Sequence, residues 1–218
     1  MSVTAQHELQ LRCGHQLADH VLNIITDDAL GRGEITNAHP NDPTFGIGHG
    51  FLVTPLLNIF AHELQNLGKL SPTPQDIFKA VEAVYRRCSG GYSALALLVN
   101  YGIVGFRDPH GIRPLVVGVR ESDTGKEYMI ASESVALDVL GFSLIDDVAP
   151  GEAVYIDMHG QLHRKICTET AILRPCIFEH VYFARPDSLM DGVSVYKTRM
   201  RQGEALARKI IEQRPDHD

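Results

Sequence analysis

Side chains with nucleophilic or metal-binding chemistry are spread thinly along this 218-residue chain. Cys13 lies two residues before His15, and a cysteine close to a histidine suggests a nucleophile with its base. No orienting partner stands nearby, so we interpret Cys13 as an ordinary helix residue. The eleven histidines are scattered and indicate no metal site. No two cysteines form a C-x-x-C pair, the usual local unit of a zinc site, although the chain has four: Cys13, Cys88, Cys167 and Cys176.

Two turns carry charged residues that could be functional. In FRDPHGIRPL, we expect Asp108 to cap its own backbone and to pair with an arginine, which makes the turn structural. In RPDS, three residues are candidates for contact with another domain: Arg185, Asp187 and Ser188. They follow a strand-like run, and charges on exposed loops favour contacts. A plain salt-bridged turn explains the same residues equally well.

Helical periodicity indicates the elements that precede these turns. Apolar residues at near-helical spacing predict a helix over 9–25, and the turn-rich stretch after it shows no period. A second helix is predicted to start near Leu56 and to end at Gly68, which suits a C-cap. Thr73 is the expected N-cap of a third helix, with Pro74 in its first turn.

From Gly91 onward, short strand-like runs alternate with turns. Short turns predict antiparallel neighbours, and the helices beside them give an α+β fold. Ser132-Glu133-Ser134 is typical of a capping sequence and predicts a short helix to about Leu140. The run IFEHVYFA predicts one more strand, and 195–213 predicts a charged helix. The predicted strands are YSALALLVN, GIVGF, RPLVVGV, EYMIAS and AVYIDM.

Composition excludes several classes of function. The chain is 44% hydrophobic, which is enough for a buried core, and its formal net charge is −7. An acidic chain without a basic, aromatic-rich run is not expected to bind nucleic acid or an anionic membrane. No apolar stretch is long enough to span a membrane, and no secretory leader is visible. We therefore expect a reduced, cytoplasmic protein.

Several long, collinear segments resemble the amidophosphoribosyltransferase family. FRDP-x-GIRPL, ASES and VYFARPDS together are a specific signal, and the similarity covers most of 56–210. The segments are LLNIFAHEL, GGYSALALL, VGFRDPHGIRPLVVG, EYMIASESVALDVLGF, VAPGEAVYI and CIFEHVYFARPDSLMDGVSVYKTR.

The resemblance implies a fold and a division of the chain. Members of the family begin with a glutaminase domain of the N-terminal-nucleophile type, a four-layer αββα sandwich. On this basis, residues 1–55 are a divergent or irregular region and 56–170 are the back half of the glutaminase domain. Residues 171–218 are an interdomain strand and a helix that lead toward a phosphoribosyltransferase domain. The sandwich is expected to be incomplete, and the chain to be a truncated member.

The resemblance also implies a chemistry whose residues are unmatched here. The family's glutaminase uses an N-terminal cysteine as nucleophile and its α-amino group as base, with an N-G-N loop for the oxyanion. This chain starts Met-Ser-Val, so Ser2 is the catalytic candidate after Met1 removal, although a small residue after an initiator Met is also ordinary. Gly33 is one candidate remnant of the oxyanion loop, with an arginine before it where the family needs Asn. Alternatively, Gly46–His49 matches the strand before the substrate arginine, and we prefer this register because it runs collinearly into LLNIF.

Two hypotheses follow. The first is a protein of purine biosynthesis that serves glutamine-dependent formation of phosphoribosylamine from phosphoribosyl pyrophosphate. The second is a non-catalytic remnant, or a binding module that pairs with the full-length enzyme or with itself. The family's transferase domain uses Mg²⁺ with phosphoribosyl pyrophosphate, but the loop of the form V-D-D-S-I-V-R-G-T-T is not found. No cofactor is therefore expected in this chain, and glutamine is the expected family substrate.

Overall fold

The computed structural model describes residues 21–24, 53–69, 71–123 and 125–214. The four α-helices of this part are α1 (Val53–Asn66), α2 (Pro74–Arg87), α3 (Ser134–Val139) and α4 (Val195–Gln213), and a π-helical turn spans Glu179–Phe183. Its strands are β1 (Val21–Ile24), β2 (Ser93–Leu98), β3 (Gly102–Arg107), β4 (Val116–Ser122), β5 (Gly125–Ala131), β6 (Ser143–Asp147), β7 (Glu152–Asp157), β8 (Leu162–Ile166), β9 (Leu189–Met190) and β10 (Val193–Ser194).

Helices α1 and α2 form one outer layer. Helix α1 starts at Val53, three residues before the predicted start, whereas the predicted turn at Gly68 and the predicted N-cap Thr73 are confirmed. The turn after α1 places Gly68 at φ +62°, where a residue without a Cβ is favoured. Before α2, Thr73 and Asp76 form a capping box, and the Asp76 carboxylate accepts a bond of 2.9 Å from the Thr73 amide. Lys69 also pairs with Asp76 at 2.8 Å. These contacts fix where α2 starts.

The larger sheet has the order β1-β2-β3-β7-β8, and all of its neighbouring strands are antiparallel. Alternate residues of its central strands point to α1 and α2. They form the main core with apolar side chains of both helices, which include Phe60 and Val81. The sheet residues of this core are Ala94, Ala96, Leu98, Val104, Phe106, Ala153 and Tyr155.

The smaller sheet has the order β5-β4-β6 and packs on the opposite face of the larger one. A second apolar cluster lies between the sheets and joins Val117 to Val154. At Gly105, a Cβ would stand 3.0 Å from the Leu95 side chain and 3.1 Å from that of Ile130. The two sheets therefore approach closely over this glycine.

Helix α3 covers the outer face of the smaller sheet, where Leu137 packs with Val116 and Ala131. The order of layers is thus α1/α2, the larger sheet, the smaller sheet and α3. This arrangement confirms the predicted α+β class and the αββα sandwich.

The structure corrects two predicted elements. Val21–Ile24 falls within the predicted helix over 9–25 but pairs with β2 as a strand, because the edge of β2 offers backbone partners and the β-branched Val21 and Ile24 suit extended backbone. The rest of that predicted helix lies outside the described residues. The predicted strand IFEHVYFA instead contains the π-helical turn, which the Ala184 amide closes by donating to the Glu179 carbonyl at 2.9 Å. No described helix is both long and apolar enough to cross a membrane.

Candidate functional site

The motifs that carry the family resemblance converge at one place in the fold. The turn after β3, the start of α3, the end of β6 and the segment from the π-helical turn to β10 all meet there. We call this place the junction and define it by nine residues: Arg107, Asp108, Arg113, Glu133, Ser134, Asp147, Glu179, Ser188 and Asp191.

Arg107 is the centre of the junction, and its side chain is only 1% exposed. Its guanidinium donates to the Asp191 carboxylate at 2.8 and 3.0 Å. The remaining bonds run to three backbone carbonyls, those of Arg113 at 2.6 Å, Val148 at 2.8 Å and Gly111 at 2.9 Å. All five N–H donors of the guanidinium therefore have an acceptor, which is what a buried charge requires.

Asp108 is fully buried and shapes the turn that follows β3. Its carboxylate accepts from the backbone amides of His110 at 2.9 Å, Arg113 at 3.1 Å and Tyr92 at 3.3 Å. The predicted backbone cap is confirmed. The predicted pairing of Asp108 with an arginine side chain is wrong, because these amides occupy its oxygens while Arg107 points to Asp191.

Asp191 belongs to the two-residue turn between β9 and β10. Asp191 and Gly192 have φ +47° and +73°, the positive values that a tight hairpin of this length needs. The Asp191 amide donates to the Asp147 carboxylate at 3.0 Å. Burial raises the pKa of Asp147, and the nearby Asp191 charge adds to this, while Arg107 opposes it.

Arg113 ties the turn after β3 to the π-helical turn. Its guanidinium forms an ion pair with Glu179, which is buried, and lies 5.9 Å from the centre of the Phe183 ring. This combination of a carboxylate and an aromatic face suits arginine and not lysine.

Glu133 and Ser134 bind the RPDS turn. The Glu133 carboxylate accepts from the Arg185 amide at 2.8 Å and from the Ser188 hydroxyl at 2.6 Å. The Ser134 hydroxyl accepts from the Leu189 amide at 2.9 Å. The predicted helix start is confirmed, with Glu133 as the N-cap residue of α3. The Glu133 side chain makes no cap bond, however, since its carboxylate accepts from Arg185 and Ser188.

The three RPDS candidates have different surroundings. Ser188 is 1% exposed and lies inside the junction. Arg185 and Asp187 are exposed and pair with each other at 3.0 and 3.1 Å. Their role in contacting another domain stays a prediction.

Other sequence candidates lie elsewhere. Ser2, Cys13, Gly33 and Gly46–His49 fall outside the described residues. Cys167 packs in the main core, where burial raises the pKa of its thiol to about 12. Within the part of the chain that the structure describes, no three His, Cys, Asp or Glu side chains converge as metal ligands.

The chemistry of the junction is that of a positioning network. Its buried arginine and carboxylates bond one another and backbone groups, so they fix the geometry of four segments. Sequence analysis missed the roles of four acids: Glu133, Asp147, Glu179 and Asp191. Three of these acids stand inside motifs that carry the resemblance, but their partners are distant in sequence. No local pattern could have paired them.

Comparison with known proteins places these motifs in a wider context. No protein-family model matches the chain. It is 63% identical over 163 residues to an amidophosphoribosyltransferase of Pseudomonas aeruginosa, covering 75% of this chain and 32% of that protein. The enzyme of the same name from Escherichia coli is 50% identical over 164 residues, with the same two shares. That of Schizosaccharomyces pombe is 42% identical over 204 residues, or 88% of this chain and 37% of that protein.

Solved structures agree with these relatives. One is described as the allosteric regulatory enzyme of purine biosynthesis and superposes with a TM-score of 0.58 at 28% identity, covering 70% of this chain and 30% of that one. Another is glutamine phosphoribosylpyrophosphate amidotransferase from Bacillus subtilis, complexed with ADP and GMP. Its TM-score is 0.52 at 26% identity, with coverage of 68% and 35%. The chain thus spans about a third of the length of the relatives it matches.

Proposed function

Because about three quarters of this chain is homologous to about a third of the amidophosphoribosyltransferases, we propose that it serves glutamine-dependent formation of phosphoribosylamine. Its contribution is the N-terminal-nucleophile-type sandwich of the glutaminase half. In this reaction the glutamine amide is hydrolysed to glutamate and ammonia. The ammonia nitrogen then bonds to the ribose carbon as pyrophosphate leaves.

The observation that supports this proposal most is the convergence of the resembling motifs at the junction. Residues from FRDPHGIRPL, ASES and ARPDSLMD contact one another through buried charge pairs and hydrogen bonds. A chain that had kept only a general fold would not need these three motifs to bond together. Their contacts attach the glutaminase-type sandwich to α4.

The junction residues hold and orient segments of the chain, and we assign none of them as the nucleophile. Ser2 is the candidate that the sequence offers, as an N-terminal hydroxyl beside a free α-amino group. Among the described residues, no three His, Cys, Asp or Glu side chains converge as metal ligands. No step of this proposal depends on a metal held by this chain.

The first test is ammonia release from glutamine by the purified chain, with folding confirmed by circular dichroism. The matched variant is Ser2→Ala, which removes one hydroxyl and leaves the described fold unchanged. Release that the substitution abolishes would support catalysis by this chain. Equal release by both proteins would exclude Ser2 as the nucleophile.

A second test measures whether this sandwich supports phosphoribosylamine formation when a relative supplies the rest of the enzyme. Residues 56–210 would replace the homologous segment of the Pseudomonas aeruginosa enzyme, and phosphoribosylamine formation would be measured. We expect activity within about tenfold of the parent, because the two sequences are 63% identical over 163 residues. A folded chimera without activity would contradict the proposal.

A non-catalytic binding module is the second candidate, and one surface feature favours it. Leu97 and Ile103 pair across β2 and β3 and are 41% and 40% exposed. They lie on the face of the larger sheet that packs against the smaller one, since Leu95 and Gly105 share that face. Exposed apolar residues there suit a partner chain. Co-purification with a full-length relative, lost in Leu97→Lys, would support this function.

A further inference from the structure

Residues 179–199 form a compact unit, which we call the hook. It contains the π-helical turn, the RPDS turn, β9, β10 and the first turn of α4. Ala184, Met190 and Val195 form a small apolar core of its own. Arg199 closes the unit by donating to the carbonyls of His180 at 2.8 Å and Ala184 at 2.7 Å.

The hook is held to the sandwich mainly by polar contacts. Arg113 pairs with Glu179, Glu133 and Ser134 bind 185–189, and Arg107 and Asp147 bind Asp191. Among the described residues, none of the three apolar clusters of the sandwich includes a residue of the hook. Polar contacts can exchange protein partners for water, and no apolar cluster of the described residues is divided between the hook and the sandwich.

We propose that the Asp191 turn is a releasable latch, which docks the hook in a preformed socket of Arg107 and Asp147. When the latch opens, residues 179–214 move as one body and the sandwich stays folded. The inference goes beyond the proposed function and does not depend on glutamine chemistry.

Three features of the socket favour reversible release. Arg107 loses only its two bonds to Asp191, because its other acceptors, Gly111, Arg113 and Val148, all belong to the sandwich. Asp191 is 16% exposed, so water reaches its carboxylate first. Asp147 loses an amide donor but gains hydration, and burial is what raises its pKa.

The latch itself can survive release. The hairpin that carries Asp191 is fixed by its own strand pairing, and the Val195 amide donates to the Ser188 carbonyl within the hook at 3.2 Å. Residues 175–178 are the hinge, because Arg174 is still bonded to the sandwich, by its amide to the His110 carbonyl at 2.7 Å. The latch therefore sets where α4 and the exposed pair Arg185–Asp187 are presented.

Amide hydrogen exchange measured residue by residue by NMR tests the latch. Three hook amides donate to the sandwich: those of Arg185, Leu189 and Asp191. Several others donate within the hook, and two of them, the amides of Val195 and Tyr196, serve as the internal reference. Release as one body must speed exchange of the first three by one common factor and leave the other two unchanged.

The variant is Asp191→Asn, which weakens the pair with Arg107 and keeps the size of the side chain. We expect the three cross-contact amides to exchange about tenfold faster or more, since a charge-assisted pair is replaced by a neutral one. Asp187→Asn is the matched control, because Asp187 pairs with Arg185 in an exposed turn, and it should leave the three rates unchanged.

Each other outcome overturns the proposal. If Val195 and Tyr196 accelerate with the three, the hook unfolds locally. If β3 and β7 amides accelerate equally, the opening is global. If no rate changes, Asp191 is no latch. If the variant does not fold, the wild-type protein still tests the proposal. Its three cross-contact amides must share one opening free energy, and this value must be lower than the opening free energy of the amides in the β3–β7 ladder.

Discussion

Arg107 and Asp191 are 84 residues apart in sequence and form a two-bond ion pair, with nitrogen–oxygen distances of 2.8 and 3.0 Å. The arginine is buried and the aspartate is nearly so. Removing one member of such a pair leaves the other as an uncompensated charge in a low-dielectric surrounding. The pair therefore favours the docked arrangement of the junction, in which both charges are matched, whatever its net contribution to stability.

Arg107→Lys should destabilise the protein by about 3 kcal/mol or more, which is the usual cost of breaking a buried pair. A lysine has three donors for five acceptors and cannot form the two-bond contact. Urea unfolding followed by circular dichroism measures the loss. Arg185→Lys, in the exposed pair with Asp187, should leave the urea midpoint essentially unchanged. Equal small effects at both positions would contradict this prediction.

The effect of Asp147→Asn on the free energy of unfolding, relative to wild type, should become more favourable as pH rises. Burial holds the pKa of Asp147 above its ordinary 3.8, so the folded state binds this proton more tightly than the unfolded state. The contribution of Asp147 to the stability of the wild-type protein therefore falls as pH rises from about 3.8 through the raised pKa. An asparagine oxygen still accepts from the Asp191 amide but does not ionise.

We accordingly expect the urea midpoint of Asp147→Asn, relative to wild type, to increase between pH 4 and pH 7. A relative midpoint that decreases over this range would show that the paired, charged form of Asp147 is the stabilising one.

Much of the fold could be predicted from sequence because its signals are local. The turn at Gly68 that follows α1 and the start of α2 after Thr73 each depend on residues close together in sequence. The predicted helix over 195–213 is found with those bounds. The αββα order, in contrast, was expected from the family resemblance, since periodicity alone does not order layers.

The prediction failed where distant contacts decide. IFEHVYFA has the apolar and aromatic composition of a strand, but Glu179 is drawn into the junction by Arg113 and the chain coils instead. Glu133 has the position of a helix cap, yet its carboxylate binds residues more than 50 positions away. Such partners are set by tertiary packing, which a local pattern does not contain.

Gly105→Ala should destabilise the sandwich by about 1–3 kcal/mol, the usual cost of overpacking a core. The added Cβ would stand 3.0 Å from the Leu95 side chain and 3.1 Å from that of Ile130, so these side chains would have to shift by a few tenths of an ångström in the packed layer between the sheets. Gly203→Ala is the matched control, because nothing lies within 4 Å of its Cβ position in α4. It should be neutral or stabilising by up to about 1 kcal/mol. Thermal unfolding of both variants tests the contrast, and a destabilising Gly203→Ala would contradict it.

Cys167 should resist alkylation in the folded protein. Its thiol is buried in the main core, and burial raises its pKa to about 12, so almost no thiolate exists at pH 8. Burial also raises the pKa of Cys88, whereas Cys176 is half-buried on the hinge. Iodoacetamide at pH 8, with peptide mass spectrometry over time, should modify Cys176 well before Cys167. In a denaturant the two should react at similar rates. Early modification of Cys167 in the folded protein would mean that the layer between α2 and the larger sheet opens far more readily than its packing implies.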